Sequence, residues 1–240
     1  MARMTQHTVR PVSPAARGRW SGRSSGWSLI VPVKALARAK TRLGEYAGEH
    51  REELALAFAL DTVAAALNCP AVDRVLVVSD DPVAGPLLAR LGAVLVIDEP
   101  GGGLNPALAH GAARARVLAP DAPLAALSAD LPALRPDELA RVLAAVPAPG
   151  RAFLADSPGI GTTLLACSPG RPLEPAFGGA SRARHTAGGA LELALPDVPS
   201  VRRDVDTAAD LAEALRLGVG PRTASAAAAL VRTPSVGGAV

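Results

Sequence analysis

Residues 28–34 have the sequence Ser-Leu-Ile-Val-Pro-Val-Lys, a short apolar run rich in β-branched residues that predicts a buried β-strand. Outward from it, strand-like apolar runs alternate with segments whose apolar residues recur at helical spacing. Further strands are predicted at 73–79, 93–97, 124–128, 151–155 and 162–167. Helices are predicted at 50–67, 82–91, 106–118, 136–146 and 207–217, with one more that begins at Ser181. This alternation predicts an α/β fold, a single domain with a mainly parallel, doubly wound sheet.

The charged residues divide the chain into one folded unit and two basic tails. The 240 residues include 25 Lys or Arg and 22 Asp or Glu. Five Arg and no acid lie in 1–26, and two Arg and no acid lie in 221–240, which leaves 27–220 with 18 basic and 22 acidic residues. We therefore predict a disordered basic N-terminal tail over 1–26, a folded domain over 27–220 and a flexible C-terminal tail over 221–240.

Composition excludes several classes of protein. The chain is 49% hydrophobic but 2% aromatic, so its core must consist of small aliphatic side chains, as in parallel sheets covered by helices. No apolar run approaches the ~18 residues of a membrane span. The mildly acidic fold lacks the clustered basic and aromatic residues of a nucleic-acid surface. Cys69 and Cys167 lie far apart without metal-type spacing, which favours reduced, buried cysteines in a cytoplasmic protein.

A basic segment follows the first strand directly, within a polar loop predicted over 35–48. Lys34, Lys40 and Arg42 are spaced along it so that their cations could hold a triphosphate. The alternative is an ordinary solvated basic loop. Neither a Walker-type glycine loop nor a G-x-G-x-x-G motif follows the strand, which disfavours the P-loop and dinucleotide-binding classes.

Carboxylates lie at the carboxyl end of one predicted strand and before the last predicted helix. Asp130 follows the strand at 124–128, where it is either a metal ligand or a cap for the following turn. Asp204 and Asp206 lie two residues apart, so in an extended segment both side chains point the same way. Mg²⁺ prefers a few carboxylates and completes its shell with water and substrate phosphates. The three carboxylates together predict a magnesium site, although Asp206 or Thr207 could instead cap the helix that follows.

A fourth cluster combines Gly161 and Thr162 with the segment 177–185, Phe-Gly-Gly-Ala-Ser-Arg-Ala-Arg-His. Small residues at a helix start expose backbone N–H groups, and the helix dipole favours an anion. The hydroxyls of Thr162 and Ser181 would add donors, which predicts a pocket for a phosphate or carboxylate. The alternative is a Ser N-cap after a glycine turn. For His185 we expect a packing or hydrogen-bonding role.

As a set, these motifs resemble the 2-phospho-L-lactate / phosphoenolpyruvate guanylyltransferase family of deazaflavin coenzyme F-420 biosynthesis. The matching pieces run in order through 27–220: Val31-Pro-Val-Lys34, Ala39-Lys-Thr-Arg-Leu43, Leu104-Asn-Pro-Ala-Leu108, Asp130-Leu-Pro132, Gly161-Thr162, Phe177-Gly178 with Ser181 and His185, and Arg203-Asp-Val-Asp-Thr207. The resemblance implies a nucleotidyltransferase fold related to the GT-A type. It also implies GTP as the donor, Mg²⁺ as the cofactor and phosphoenolpyruvate or 2-phospho-L-lactate as the acceptor.

The resemblance also assigns residues. The family's acceptor-binding Thr, Gly and Ser map onto Thr162, Gly178 and Ser181. Its metal carboxylates map onto Asp130, Asp204 and Asp206.

For the nucleotide, we expect Lys34, Lys40 and Arg42 to steady the triphosphate as catalytic and nucleotide-binding residues. Asn105 is the candidate for guanine recognition. A homodimer and functional coupling to the downstream transferase are the two protein-partner hypotheses.

Two alternatives stay open at this point. The first is a nucleotidyltransferase with another acceptor, such as a sugar phosphate, 3-phosphoglycerate or molybdopterin, although such enzymes usually show a glycine-rich loop where this chain has Pro32-Val-Lys34. The second is a non-catalytic nucleotide-binding protein on the same fold. Intact carboxylates at all three positions argue against the second.

Overall fold

One seven-stranded sheet organises the fold. A computed structural model describes residues 26–98 and 101–232. The strands are β1 (Trp27–Pro32), β2 (Val72–Val78), β3 (Val94–Val96), β4 (Leu124–Leu127), β5 (Arg151–Ala155), β6 (Thr162–Cys167) and β7 (Leu191–Glu192). Their order across the sheet is β3-β2-β1-β4-β6-β5-β7.

The sheet is parallel except at β6, which runs antiparallel to both β4 and β5. The reason is local. Only residues 156–161 connect β5 to β6, and so short a connection can join antiparallel neighbours but cannot make the crossover that parallel strands require. The prediction of a mainly parallel sheet is confirmed.

Helices cover both faces of the sheet. They are α1 (Gly44–Ala47), α2 (Arg51–Leu67), α3 (Ala84–Arg90), α4 (Leu104–Leu118), α5 (Pro136–Ala144), α6 (Ser181–Ala187), α7 (Pro199–Arg202), α8 (Ala208–Leu217) and α9 (Pro221–Arg232). α4 approaches β1 and β2 closely at Gly111. A Cβ at this position would lie only 2.6 Å from methyl groups of both Ile30 and Val78, so the close approach requires a glycine. Within the described residues, no helix is both long and apolar enough to cross a bilayer.

The strands alternate their side chains between two separate cores. In β1, Leu29 and Val31 join the core beneath α2 and α5, whereas Ile30 joins the core beneath α4. The other long strands, β2, β4, β5 and β6, divide their residues between the same two cores. This period of two is expected for strands that are buried on both faces.

The loop predicted over 35–48 is largely helical. It contains single 3₁₀ turns at Leu36–Arg38 and Thr41–Leu43, then α1, and a further 3₁₀ turn at Gly48–His50. The prediction of a polar loop was wrong because Leu36, Leu43 and Ala47 are buried, and their packing holds the segment against the domain.

The flexible C-terminal tail predicted from residue 221 was also wrong as far as residue 232. Residues 221–232 form α9, which packs on α2. Asp61 of α2 is 4% exposed, and its carboxylate accepts hydrogen bonds from the backbone N–H of Thr223 at 2.7 Å and of Arg222 at 3.3 Å. The N-terminal cap of α9 therefore comes from a residue about 160 positions earlier. Residues 1–25 and 233–240, on which the rest of the tail predictions fall, lie outside the described part of the chain.

Candidate active site

A cleft of about 420 Å³ opens beyond the carboxyl ends of β1 and β4, where ligands bind in open α/β sheets. Its lining comes from the basic segment after β1, from α2, from the start of α4, from the end of β4 and the segment after it, from the loop before α6, and from Asp206 before α8. Of the residues predicted as site residues from sequence, those that line it are Lys34, Lys40, Arg42, Asp130, Gly178 and Asp206.

Lys40 lies at the centre of the charged wall. Its side chain is 10% exposed, and its Nζ donates to the carboxylate of Asp130 and, at 2.7 Å, to Oδ1 of Asp206. Arg42 is largely exposed and donates to Oδ2 of Asp206 at 2.7 Å. Lys40 has a left-handed backbone, with φ of +53°, a conformation that non-glycine residues adopt rarely and that often marks functional sites. The structure thus brings two predicted cations and two predicted carboxylates into one network.

Backbone and hydroxyl contacts position the carboxylates. The N–H of Val205 donates to the carbonyl of Asp130 at 3.1 Å, which joins the segment after β4 to the segment before α8. Val205 itself is fully buried. On the other side, the hydroxyl of Thr62 in α2 accepts the N–H of Leu131 at 3.0 Å and donates to the carbonyl of Phe58. The turn that carries Asp130 is therefore held from two directions.

Thr207 is the N-cap of α8. The sequence had left open whether Asp206 or Thr207 caps this helix. The side chain of Thr207 accepts from the N–H of Asp210, and the Asp210 carboxylate accepts in return from the N–H of Thr207, a capping box. Because Thr207 fills this role, the carboxylate of Asp206 is free to pair with Lys40 and Arg42.

Burial and neighbouring charges shift the pKa values of Asp204, Asp206 and Lys40. Burial, together with the charges of Asp130 and Asp206, raises the pKa of Asp204 to about 7, although Lys40 opposes the shift. Burial alone would raise the pKa of Asp206 too, but Lys40 and Arg42 outweigh it, so that this pKa lies below its ordinary value. For Lys40, burial lowers the pKa, and the charges of Asp130 and Asp206 more than reverse this effect.

A metal site is not preassembled in this arrangement. Among residues 26–98 and 101–232, no three or more His, Cys, Asp or Glu side chains converge closely enough to hold a metal ion. Instead, the ammonium of Lys40 bridges Asp130 and Asp206. The donor chemistry nonetheless suits a cation, because the charges of Asp130 and Asp206 add to the effect of burial in raising the pKa of Asp204.

A second wall of the cleft is formed by the loop at 176–179, of which residues 177–179 line the cleft. Gly178 and Gly179 have φ of +97° and +45°, and both values lie in a region that L side chains rarely adopt. Asn105 of α4 clamps the backbone of Phe177, since its Oδ1 accepts the N–H at 2.8 Å and its Nδ2 donates to the carbonyl at 3.1 Å. The guanidinium of Arg184 donates to the carbonyls of Ala176 and Gly178.

Thr162 and Ser181 lie behind this loop, at 7% and 1% exposure. Ser181 is the first residue of α6, and its N–H donates to the carbonyl of Gly179 at 2.8 Å. It is not an N-cap, because that position belongs to Ala180, which has no side-chain donor or acceptor. Thr162 hydrogen-bonds to Nδ1 of His185 at 2.9 Å.

Asn105, the candidate for guanine recognition, contacts the backbone of Phe177 in this structure. Its amide is engaged with the loop backbone, and it is not part of the cleft lining. The packing and hydrogen-bonding expected of His185 are present in its contacts with Thr162, Ala176 and two aromatic rings.

Two further residues that sequence reasoning missed hold the basic segment in place. Arg51 donates to the carbonyls of Leu36 at 3.2 Å and Ala37 at 3.0 Å. The buried carboxylate of Asp81 accepts the N–H of Leu36 at 2.8 Å and also caps the start of α3. Burial alone would raise the pKa of Asp81, but these backbone hydrogen bonds hold it below its ordinary value. Neither residue stands in a motif, so only the spatial neighbourhood identifies them.

Comparison with known proteins gives a consistent picture. The model of the family described as "Guanylyl transferase CofC like" matches residues 27–227. A phosphoenolpyruvate guanylyltransferase from Streptomyces coelicolor is 66% identical over 206 residues, covering 85% of this chain and 97% of the relative. One from Thermomonospora curvata is 62% identical over 202 residues, covering 84% and 89%.

Solved structures agree on the fold. A nucleotidyl transferase from Methanothermobacter thermautotroptrophicus superposes with a TM-score of 0.58 at 17% identity, covering 80% of this chain and 98% of that one. Rv0371c from Mycobacterium tuberculosis, in a complex with manganese, gives 0.50 at 22% identity, covering 81% and 100%. With the family model spanning almost all of the described fold, the chain belongs to the CofC-like guanylyltransferase family and is a nucleotidyltransferase.

Proposed function

We propose that this enzyme transfers GMP from GTP to phosphoenolpyruvate, with release of pyrophosphate, in coenzyme F-420 biosynthesis. The observation that carries the proposal is the division of one cleft into two unlike walls. A network of cations and carboxylates forms one wall, and a glycine loop backed by buried hydroxyls forms the other. Relatives that are 66% and 62% identical are named phosphoenolpyruvate guanylyltransferases, which supports the acceptor.

The charged wall suits the nucleotide triphosphate. Lys34 is exposed and lines the cleft, and Arg42 keeps most of its guanidinium open to solvent, so both are available to phosphate oxygens. Lys40 lies deeper, between the carboxylates. These three cations are the nucleotide-binding and catalytic residues of the proposal, and Asn105 contributes by holding Phe177.

Asp130, Asp204 and Asp206 are the residues that would hold Mg²⁺. A hard cation with few carboxylate ligands and several open positions is suited to bridge protein and phosphates. When bound, it would supply charge neutralisation at the triphosphate. It would also offset the charges of Asp130 and Asp206, which add to burial in raising the pKa of Asp204.

The chemistry needs no general base. The phosphate of the acceptor is already anionic at neutral pH, so it can attack the α-phosphorus of GTP in line while pyrophosphate leaves. The protein's part is to place the two anions together and to compensate their charge. The loop at Gly178, with Thr162 and Ser181 behind it, would receive the acceptor.

Pyrophosphate release tests the proposal. Purified protein with Mg²⁺ is given GTP together with phosphoenolpyruvate, 2-phospho-L-lactate or 3-phosphoglycerate, and ATP and CTP replace GTP in parallel reactions. We expect the fastest release with GTP and phosphoenolpyruvate. No release with any acceptor would overturn guanylyl transfer to a phospho-acid, and a clear preference for another acceptor would overturn the assignment of phosphoenolpyruvate.

A matched pair of glycine variants tests the acceptor wall. Gly178→Ala forces an L side chain into φ of +97°, and we expect kcat/KM for the acceptor to fall about tenfold or more while KM for GTP stays unchanged. Gly170→Ala makes the same change at φ of +74° in a turn outside the cleft, and both kinetic constants should be preserved. Equal effects of the two variants would remove the loop from the acceptor site.

A further inference from the structure

His185 makes two hydrogen bonds that determine which of its nitrogens carries the proton. Nε2 lies 3.1 Å from the backbone nitrogen of Ala176, which can only donate, so Nε2 must be the acceptor. Nδ1 then carries the hydrogen and donates to Oγ1 of Thr162 at 2.9 Å. Burial, with the charges of Arg184 and Arg151, lowers the pKa of His185 to about 4, consistent with a neutral ring.

This tautomer sets the polarity of the Thr162 hydroxyl. Because the oxygen accepts from Nδ1–H, its own hydrogen is left to donate elsewhere. No other hydrogen bond to this hydroxyl exists within the described part of the chain. In the opposite tautomer Nδ1 would accept a hydrogen bond from the Thr162 hydroxyl. Only the lone pairs of the hydroxyl oxygen would then face the ligand, and they would repel an anion.

A β-bulge aims Thr162 at the ring. In the pairing of β5 with β6, Leu154 is opposite Leu164 but Ala155 is opposite Thr162, so β6 has one extra residue at this point. Thr162 consequently reaches His185, whose ring lies 5.7 Å from Phe153 and 5.1 Å from Phe177, both members of the core beneath α4. Bulges often redirect a side chain next to an active site.

We propose that His185 is a positioning residue that presents the Thr162 hydroxyl as a hydrogen-bond donor to the anionic acceptor and holds the Ala176–Phe177 backbone with the same ring. The inference rests on the proposed function, because it assumes that Thr162 faces the acceptor. One ring thus joins the hydroxyl to the loop that carries Gly178, and the site favours a phosphate or carboxylate over a neutral ligand.

Two amide substitutions separate the two hydrogen bonds. In His185→Asn, the amide nitrogen lies near the place of Nδ1 and can still donate to Thr162. In His185→Gln, the amide oxygen lies near the place of Nε2 and can still accept from Ala176. Both variants lose the ring packing, so each is the control for the other's loss of stability, which thermal unfolding measures.

We expect His185→Gln to lower kcat/KM for phosphoenolpyruvate about tenfold or more, since a hydrogen bond to a charged group is at stake. His185→Asn should lose no more than about threefold, and KM for GTP should change in neither. Thr162→Val should lower kcat/KM for phosphoenolpyruvate as much as His185→Gln does. The double variant should lose no more of it than Thr162→Val alone, because both substitutions remove the same interaction. Additive losses, equal losses in the two amide variants, or a parallel change in KM for GTP would overturn the proposal.

Nitrogen-15 NMR of the wild-type imidazole gives a readout that does not depend on turnover. We expect a neutral ring with the proton on Nδ1 at pH 7. A ring protonated on Nε2 would overturn the role of His185 whatever the activity. A wild-type enzyme that releases no pyrophosphate while its ring is in the expected tautomer would instead overturn the proposed function.

Discussion

The substitution Asp204→Asn is expected to make the metal-free protein more stable at pH 8 while it abolishes turnover. The side chain keeps its shape but loses a charge that burial and two neighbouring carboxylates disfavour. In the wild type, the folded state holds the Asp204 proton more tightly than the unfolded chain does. Stability therefore falls as the pH rises from about 4 to about 7, because in this range Asp204 is ionised in the unfolded chain but still protonated in the folded state.

The magnitude follows from the pKa of Asp204, which is about 7 in the fold and about 3.9 in an unperturbed Asp. The full difference corresponds to a ceiling of roughly 4 kcal/mol in the free energy of unfolding. Since the charge is shared among coupled carboxylates and the site can relax, we expect roughly half of this, about 2 kcal/mol. For a domain of this size, that is a rise in Tm of about 4–8 °C.

The assay is thermal and urea unfolding in the presence of a chelator, at pH 5 and pH 8. The wild type should lose stability between the two pH values, and Asp204→Asn should lose much less of it. Added Mg²⁺ should stabilise the wild type at pH 8 by mass action and stabilise the variant less. Pyrophosphate release by the variant should be absent although it is folded.

Asp206→Asn is the matched control. It makes the same substitution two residues away, and we expect it to change the stability of the fold in the opposite direction. The pKa of Asp206 is lowered, because the effect of Lys40 and Arg42 outweighs that of burial, so its ionised form stabilises the fold and Asn should destabilise it. If Asp204→Asn is less stable than the wild type at pH 8, or if both variants shift stability in the same direction, the electrostatic account of the three carboxylates is refuted.

Two further predictions concern positioning. Asp61→Ala should cost about 1–2 kcal/mol in urea unfolding because α9 loses its cap, whereas Asp61→Asn should cost less because Asn is also a good cap; equal losses would refute capping. Thr62→Val removes the hydroxyl that accepts the N–H of Leu131 at 3.0 Å, so we expect about a tenfold lower Mn²⁺ affinity, measured by calorimetry, through displacement of Asp130. Unchanged affinity would show that Asp130 does not depend on this contact.

Much of the fold could be predicted because the required signals are local. A strand that is buried on both faces has to be apolar along its length, as 28–34 is, and a surface helix has to repeat its apolar residues at helical spacing. The alternation of the two kinds of segment then restricts the topology to a few possibilities. Family resemblance added the assignment to a guanylyltransferase family, and the family match over 27–227 confirms that assignment.

Errors arose where a segment depends on distant partners. The helix α9 has an alanine-rich sequence without a cap of its own, and Asp61 supplies the cap from another helix. The turn at Leu36–Arg38 is held by Arg51 and Asp81, which lie 15 and 45 residues from Leu36 and satisfy its backbone groups.

The basic segment after β1 shows most clearly what sequence and tertiary structure each determine. The sequence alone predicted that this segment places cations directly after a strand, where α/β proteins bind ligands. Only the tertiary structure decided that Lys40 lies between Asp130 and Asp206, which are 90 and 166 residues away, and that Asn105 holds Phe177, 72 residues away. The physical reason is that periodicity and capping act over a few residues, whereas a site of opposed charges exists only after folding has brought distant strand ends together.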